Sequence, residues 1–281
     1  MLTSTIDSRL QQKLDILKKE MDGELSYDDS SRLIYATDAS AYREEPLAVC
    51  FPKNNEDIKR LIRFADENKT SIIPRTAGTS LAGQVVGGGI IADVSKHMTK
   101  ILEVNVEESW VRVQAGVILD ELNKHLHQFG LFFGPETSTS NRCMIGGMVG
   151  NNACGAHSLV YGSTREHVLE LETILSDGSE ASFKAITKDE FSKKTEGDTL
   201  ENHVYANINS ILSKEENQAS IRKEFPDSKL ERRNTGYALD ILLETEAFSK
   251  TSTPFNYSKL LAGSEGTLAF TTEIKLNLVP L

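Results

Sequence analysis

Residues 74–83, PRTAGTSLAG, constrain this chain more than any other stretch. They follow a short apolar run and set Arg75, Thr76, Ala77, Gly78, Thr79, Ser80 and Leu81 directly after a strand end. Successive backbone N–H groups converge on phosphate oxygens only where side chains leave them open. Gly78 supplies that access, and the hydroxyls of Thr79 and Ser80 add donors. The composition is that of a diphosphate cradle with one cation, Arg75. Taken alone, a Gly/Ser/Thr-rich loop is more often an ordinary turn, so its weight depends on what recurs downstream.

Two more blocks follow: GPETSTSNRCMIGGMVGNNACGAH at residues 134–157 and GSEGTLAFTTEIKLNLVP at residues 263–280. With the first loop and DASAYREEPLAVCFPKNNEDI at 38–58, they stand in an order that resembles the FAD-binding domain of one flavoenzyme family. That family includes vanillyl-alcohol oxidase, D-lactate dehydrogenase and D-2-hydroxyglutarate dehydrogenase. The chain is most similar to large bacterial fusions that join such a domain to a C-terminal iron-sulfur region. The resemblance covers about residues 35–180 and 230–281, and the stretch between them poorly. It implies an α+β fold, a two-lobed FAD-binding domain of the vanillyl-alcohol oxidase (PCMH) type.

By that resemblance, residues Arg75 to Leu81 wrap the FAD diphosphate, and Pro135, Glu136, Thr137 and Ser138 lie near the flavin and its linker. Ile145, Gly146, Gly147, Asn151, Asn152, Ala153 and Gly155 match the second glycine block, where missing side chains admit the cofactor. Glu265, Gly266 and Thr267, leading into a strand through Phe270 and Thr271, match the closing wall. Each block has a plainer alternative: Gly146 and Gly147 as a tight helix entry, Gly263 and Gly266 as a strand-initiating turn. In RRNTGYALDIL, residues 232–242, Asn234, Gly236 and Tyr237 match a further element. Tyr237 either edges the substrate cavity or packs at a helix entry. Phe132 and Phe133 either flank adenine or belong to the core, the commoner fate of such aromatics. His157 sits near the expected flavin but reads better as a hydrogen-bonded structural histidine. Cys154, in the same loop, is equally a small buried residue.

Several relatives tether their flavin through a histidine in the first loop. Thr79 stands here with no histidine beside it, so FAD is expected to be bound non-covalently. Thr76 and Ala77 replace glycines that many members carry. The implied activity is oxidation of a D-2-hydroxy acid, of the D-lactate or D-2-hydroxyglutarate type, to the 2-oxo acid, with electrons leaving to an acceptor through iron-sulfur clusters. In the family the substrate carboxylate is gripped by a cap domain that follows the strand ending near Val279. This chain stops at Leu281, so the cap and the clusters are expected to lie outside it. No catalytic residue is assigned within it, and these residues alone are expected to turn over no substrate. The rival readings are a non-catalytic flavin-binding electron-relay or docking module, and a reductase of enolpyruvyl sugar nucleotides. The latter needs a proton-donating serine and NADPH.

Bulk properties agree with an ordinary globular chain: 281 residues, 39% apolar and 26% charged. No run of 18 apolar residues occurs and the first 25 residues are polar, so neither a transmembrane segment nor a secretory signal is expected and the cytoplasm is the default. A formal net charge of -10 argues against nucleic acid as a partner. It also requires local N–H donors to hold an anionic cofactor. Cys50, Cys143 and Cys154 show no CxxC spacing. His97, His125, His127, His167 and His203 are scattered, so no metal site is expected.

Periodicity predicts an amphipathic helix through Ile6, Leu10, Leu14, Leu17 and Met21, closed by Gly23 as C-cap. A second helix spans 56–68 with Ile58, Leu61, Ile62 and Ala65 on one face, leading into a strand at 71–74. Strands are predicted at 89–94, 101–106 and 110–115, then a helix over 116–130 with Leu119, Leu122 and Leu126 inward. Residues 168–183 read as a hairpin whose Asp177-Gly178 pair suits a type I′ turn. Residues 186–227 are polar and helical. The expected division is an N-terminal helical segment at 1–34, a first lobe at 35–115 and a second at 116–281, sharing one interface. A doubly wound nucleotide fold ranks below, because no GxGxxG follows the first strand.

Overall fold

The computed structural model describes residues 6–227, 229, 230, 233 and 235–281. Asn234, one of the residues matched above, lies outside them.

Two sheets organise the chain. The first comprises β1 (Glu24–Ser26), β2 (Ala48–Phe51), β3 (Ile72–Arg75) and β4 (Ile90–Asp93), in the order β1-β2-β4-β3. β2, β4 and β3 run parallel, and β1 closes the edge antiparallel. Parallel strands need a crossover, and the helix Asn55–Asn68 carries the chain from β2 to β3, which flank β4 on either side. Its N-cap Asn54 accepts from the Asp57 N–H, and Ile58, Leu61, Phe64 and Ala65 are buried. Ile62, expected on that face, is only half-buried, while Phe64 is buried.

The second sheet joins β5 (Ile101–Asn105), β6 (Trp110–Gln114), β8 (Val168–Ile174), β9 (Glu180–Ile186), β10 (Phe255–Asn256) and β11 (Phe270–Asn277) in the order β10-β9-β8-β11-β6-β5. Every pairing is antiparallel. Ile274 of β11 sits opposite both Val113 and Leu171. Alternation along β11 buries Phe270, Thr272, Ile274 and Leu276, as a sheet with one face on the core requires. The other face carries charge: Arg112 Nη2 lies 3.1 Å from Glu170 Oε1. A short ribbon of β7 (Leu131–Phe132) and β12 (Val279–Pro280) completes the strands.

Sheet membership differs from the sequence division in two places. β5 and β6, inside residues 35–115, pair into the second sheet through β11, a partner far along the chain that no local pattern reveals. β1, inside the segment 1–34, edges the first sheet.

Local corrections have simple causes. The first helix, Ser8–Glu20, ends at Met21 in an extended conformation, so Gly23 is not its cap. Glycine is needed at 23 for close approach instead: a Cβ there would lie 2.3 Å from the Phe51 carbonyl oxygen. The buried Asp57 carboxylate fixes this junction by accepting from the N–H groups of Asp22 (2.9 Å), Gly23 (2.9 Å) and Lys53 (3.0 Å). The helix expected from Gly116 begins at Leu119 and ends at Leu126, followed by a 3-10 turn and Gly130 at φ 70°; Leu119, Leu122 and Leu126 are buried as expected. The β8–β9 turn is not type I′. Only Gly178 has positive φ, 82°, and its N–H donates to the Leu175 carbonyl (2.9 Å). A type I′ turn requires positive φ at both central residues.

The polar stretch folds into helices Lys188–Lys194, Leu200–Leu212 and Glu215–Glu224. Capping boxes at Thr187/Glu190 and Thr199/Asn202 open the first two. Tyr205, Phe183 and Phe255 anchor them in the core. Among the described residues, no helix is long and apolar enough to cross a membrane.

Candidate functional site

The carboxyl ends of β3 and β4, the end of β6 and the start of β11 meet around one cavity of about 520 Å³. Cavities at strand ends and between layers are common ligand sites.

From the first loop, Arg75, Thr76, Gly78, Thr79 and Ser80 line it. From the second come Thr137 and Ser138, and from the third Gly146, Gly147, Asn151, Asn152 and Ala153. Glu265 and Gly266 line it from the fourth. Seven predicted residues do not reach the wall. Ala77 turns aside within its loop and Leu81 is exposed. Ile145 is core, and Pro135 is buried. Glu136 faces outward to His157, whose Nδ1 lies 2.8 Å from Oε1. Gly155 packs on the Glu136 backbone, where a Cβ would stand 2.3 Å from the carbonyl oxygen. Thr267 Oγ1 meets the Tyr237 hydroxyl at 2.6 Å.

Gly78 adopts φ 63°, and a Cβ there would lie 2.9 Å from Arg75 Nη2. The Arg75 guanidinium therefore sits beneath the loop. Its Nη1 donates to the Thr37 carbonyl (3.0 Å), and its carbon lies 4.9 Å from the Tyr35 ring centroid. Burial and the nearby Asp93 carboxylate push the Tyr35 hydroxyl above its ordinary range while it donates to Asp93 Oδ2 (2.7 Å). Among the described residues, no backbone N–H from 77 to 80 donates to another protein group, which leaves four consecutive donors beside the cavity.

The loops touch one another closely. A Cβ on Gly147 would come within 2.4 Å of Thr76 Oγ1, and one on Gly266 within 3.2 Å of Pro74 Cγ. The N–H groups of Gly263 and Glu265 donate to the carbonyls of Val149 and Gly150, both at 2.9 Å. Gln84 Nε2 reaches Glu265 Oε1 at 3.3 Å.

One side chain ties several of these segments together. Arg165, 2% exposed, donates from Nη2 to the carbonyls of Thr235 (2.8 Å), Gly236 (2.6 Å) and Ala262 (2.6 Å), and from Nε to Ala262 again (2.9 Å). Its N–H donates to Asn152 Oδ1 (2.8 Å). Behind it, Lys259 Nζ donates to the carbonyls of Arg165 (2.9 Å), Glu166 (3.2 Å) and Val168 (2.7 Å). Burial lowers Arg165 to about 10 and Lys259 to about 8.

The sequence reading missed Gln84, Val85, Val94, Ala115, Cys143 and Met144 on the wall. Val94 and Ala115 are the last residues of the strands predicted at 89–94 and 110–115, where ligand sites at strand ends are to be sought. Arg165 carried no local signal, because its partners lie in distant segments. Cys143 is held by the Thr137 hydroxyl at 3.2 Å, and burial raises its thiol. Phe133 is core and Phe132 packs edge-on against Tyr161; neither lines the cavity. His157 is bonded but exposed, and His167 is a buried structural residue between the carbonyls of Tyr161 and Asn277.

Residues 46–183 match the family model of the FAD binding domain. The chain is 40% identical over 277 residues to the D-2-hydroxyglutarate dehydrogenase of Haemophilus influenzae, covering 94% of this chain and 26% of that protein. It is 32% identical over 140 residues to the mitochondrial D-lactate dehydrogenase (cytochrome) of Kluyveromyces lactis, covering 48% of this chain and 24% of that protein. The chain thus spans about a quarter of the length of these curated relatives. A solved structure of alkyldihydroxyacetonephosphate synthase superposes over 99% of this chain and 42% of its own with a TM-score of 0.65 at 17% identity. That likeness bears out the expected α+β fold; FAD binding rests on the family match of residues 46–183.

Lys259 generates a pH prediction. Its folded value of about 8 lies below the ordinary 10.5, so between those values the folded chain sheds a proton that the unfolded chain keeps. Stability rises with pH across that window. The cost of the buried charge is fully present below pH 8 and is relieved by up to about 3 kcal/mol towards pH 10.5. Urea unfolding at pH 7.5 and pH 10 is expected to show this gain in the wild type relative to Lys259→Met. Parallel pH dependence in the two proteins would contradict it.

Proposed function

We propose that this chain, whose residues 46–183 match the FAD binding domain, forms the flavin-holding part of a dehydrogenase that oxidises a D-2-hydroxy acid to the 2-oxo acid. The observation that carries the proposal is the convergence of four loops, far apart in sequence, on one cavity. Identity to D-2-hydroxyglutarate dehydrogenase along 94% of the chain supports the same reading.

The residues fit FAD. The unengaged N–H groups of 77–80 supply donors for a diphosphate, and the Arg75 guanidinium beneath them supplies the countercharge that the chain's net charge of -10 otherwise denies. Thr79 and Ser80 add hydroxyls. Gly146, Gly147, Asn152, Glu265 and Gly266 line the same cavity. Bound there, the isoalloxazine would supply the acceptor for a hydride from the substrate α-carbon. The roles of these residues are to bind it, orient it and limit the access of water. Electrons then pass to an acceptor of unspecified kind.

Thr79 stands where a tethering histidine would, so FAD is held non-covalently. Acid precipitation of the loaded protein is expected to leave yellow FAD in the supernatant; colour retained in the pellet would contradict this.

Gly78→Val is expected to weaken FAD binding at least ~10-fold, about 1.4 kcal/mol. A branched side chain resists positive φ and would meet Arg75. Equal dissociation constants by fluorescence titration would remove the cradle from the first loop.

The activity is tested by anaerobic mixing of flavin-loaded protein with millimolar D-2-hydroxyglutarate. Bleaching of the flavin band by the D and not the L enantiomer is expected once the chain is joined to the further sequence its relatives possess. Bleaching of the 281-residue chain alone at the same rate would place catalytic groups within it. His157, Tyr237 and Glu265 would then be the first to mutate. No bleaching in either form would overturn the dehydrogenase reading.

A further inference from the structure

We propose that Arg165 is a positioning residue for the cofactor: without touching it, the guanidinium sets the spacing of the cavity walls at residues 152, 235–236 and 262–263. The inference rests on the flavin reading above. It follows from where the donors of this side chain go. A guanidinium offers a planar fork of donors and is costly to bury unpaired. Here it is spent on backbone. Four bonds from Nε and Nη2 reach the carbonyls of Thr235, Gly236 and Ala262. The two nearest carboxylates are occupied elsewhere: Asp240 pairs with Arg233, and Glu166 Oε2 accepts from the Ser163 N–H.

Each segment held in this way supplies a cavity wall. Thr235, Gly236, Gly263 and Asn152 all line the cavity, and each either bonds to Arg165 or adjoins a residue that does. None of the three segments is fixed by a sheet ladder at these positions; Arg165 bonds to all three, beside the backbone bonds that the Gly263 and Glu265 N–H groups make to the carbonyls of Val149 and Gly150. Gly263, at φ 97°, is shaped to the same purpose, since a Cβ there would lie 2.4 Å from Arg165 Nη2. Arg165 is itself anchored from behind: Lys259 holds its carbonyl and those of Glu166 and Val168. A lysine at 165 would bring one compact ammonium where a fork is needed.

The test is FAD titration of wild type, Arg165→Lys and Leu212→Ala, read by flavin fluorescence and by visible circular dichroism of the bound flavin. Leu212 is fully buried in the helix Leu200–Leu212, away from the cavity. Arg165→Lys is expected to keep the far-UV spectrum, bind FAD at least ~10-fold more weakly and alter the visible dichroism. Leu212→Ala is expected to melt lower while keeping its FAD affinity within about twofold. Wild-type affinity and dichroism in Arg165→Lys would overturn the inference alone. Should that variant fail to fold, Lys259→Met removes the support and leaves the guanidinium. Weaker binding with altered dichroism then sustains the inference, and wild-type values overturn it. Failure of the wild type itself to take up FAD overturns the flavin reading and this inference together.

Discussion

A charge buried among carbonyls holds the candidate site together. Arg165 is almost fully enclosed, and its donors run to backbone oxygens of segments that are remote in sequence. Unpaired, such a group would destabilise the fold strongly. Satisfied, it links loops that have no ladder of their own, and Lys259 extends the link to the start of β8. The cavity walls around residues 152, 236 and 263 inherit their positions from this network.

Close approach is the second constraint. Gly147 admits the Thr76 hydroxyl and Gly263 admits Arg165, gaps too small for a Cβ without a shift, while Gly266 packs tightly on Pro74. The glycines of the third and fourth blocks therefore serve loop-to-loop packing as much as ligand access. Gly78 is alike: it has positive φ, as Gly263 and Gly266 do, and the guanidinium of Arg75 fills the space where its Cβ would stand. The Arg75 guanidinium lines the cavity while it is also tied to the Thr37 carbonyl and stacked on Tyr35.

Much of this was legible in the sequence because periodicity and glycine chemistry are local. The helix Asn55–Asn68, the strands on either side of the first loop and the inward leucines of Leu119–Leu126 follow from spacing alone. What escaped was non-local. The pairing of β6 with β11 moves two strands into the second sheet, and no feature of residues 101–114 announces a partner at 273–277. The turn at Gly178 was misread because Asp-Gly serves more than one turn type. Pro135, Glu136 and Gly155 carried the right pattern yet face away from the cavity, since a motif fixes a loop's path before it fixes which residues on it point inward. Arg165, flanked by Thr164 and Glu166, has no local pattern that marks its role, because its acceptors at 235, 236 and 262 are remote in sequence.

The central claim is that the free N–H groups after β3 receive the diphosphate of FAD. Amide hydrogen exchange with and without saturating FAD tests it most directly. The account predicts marked slowing at residues 77–80, with smaller protection at 146–152 and 263–266, and no change in the helices of 188–224. Saturable FAD binding that leaves exchange at 77–80 unaltered would contradict it.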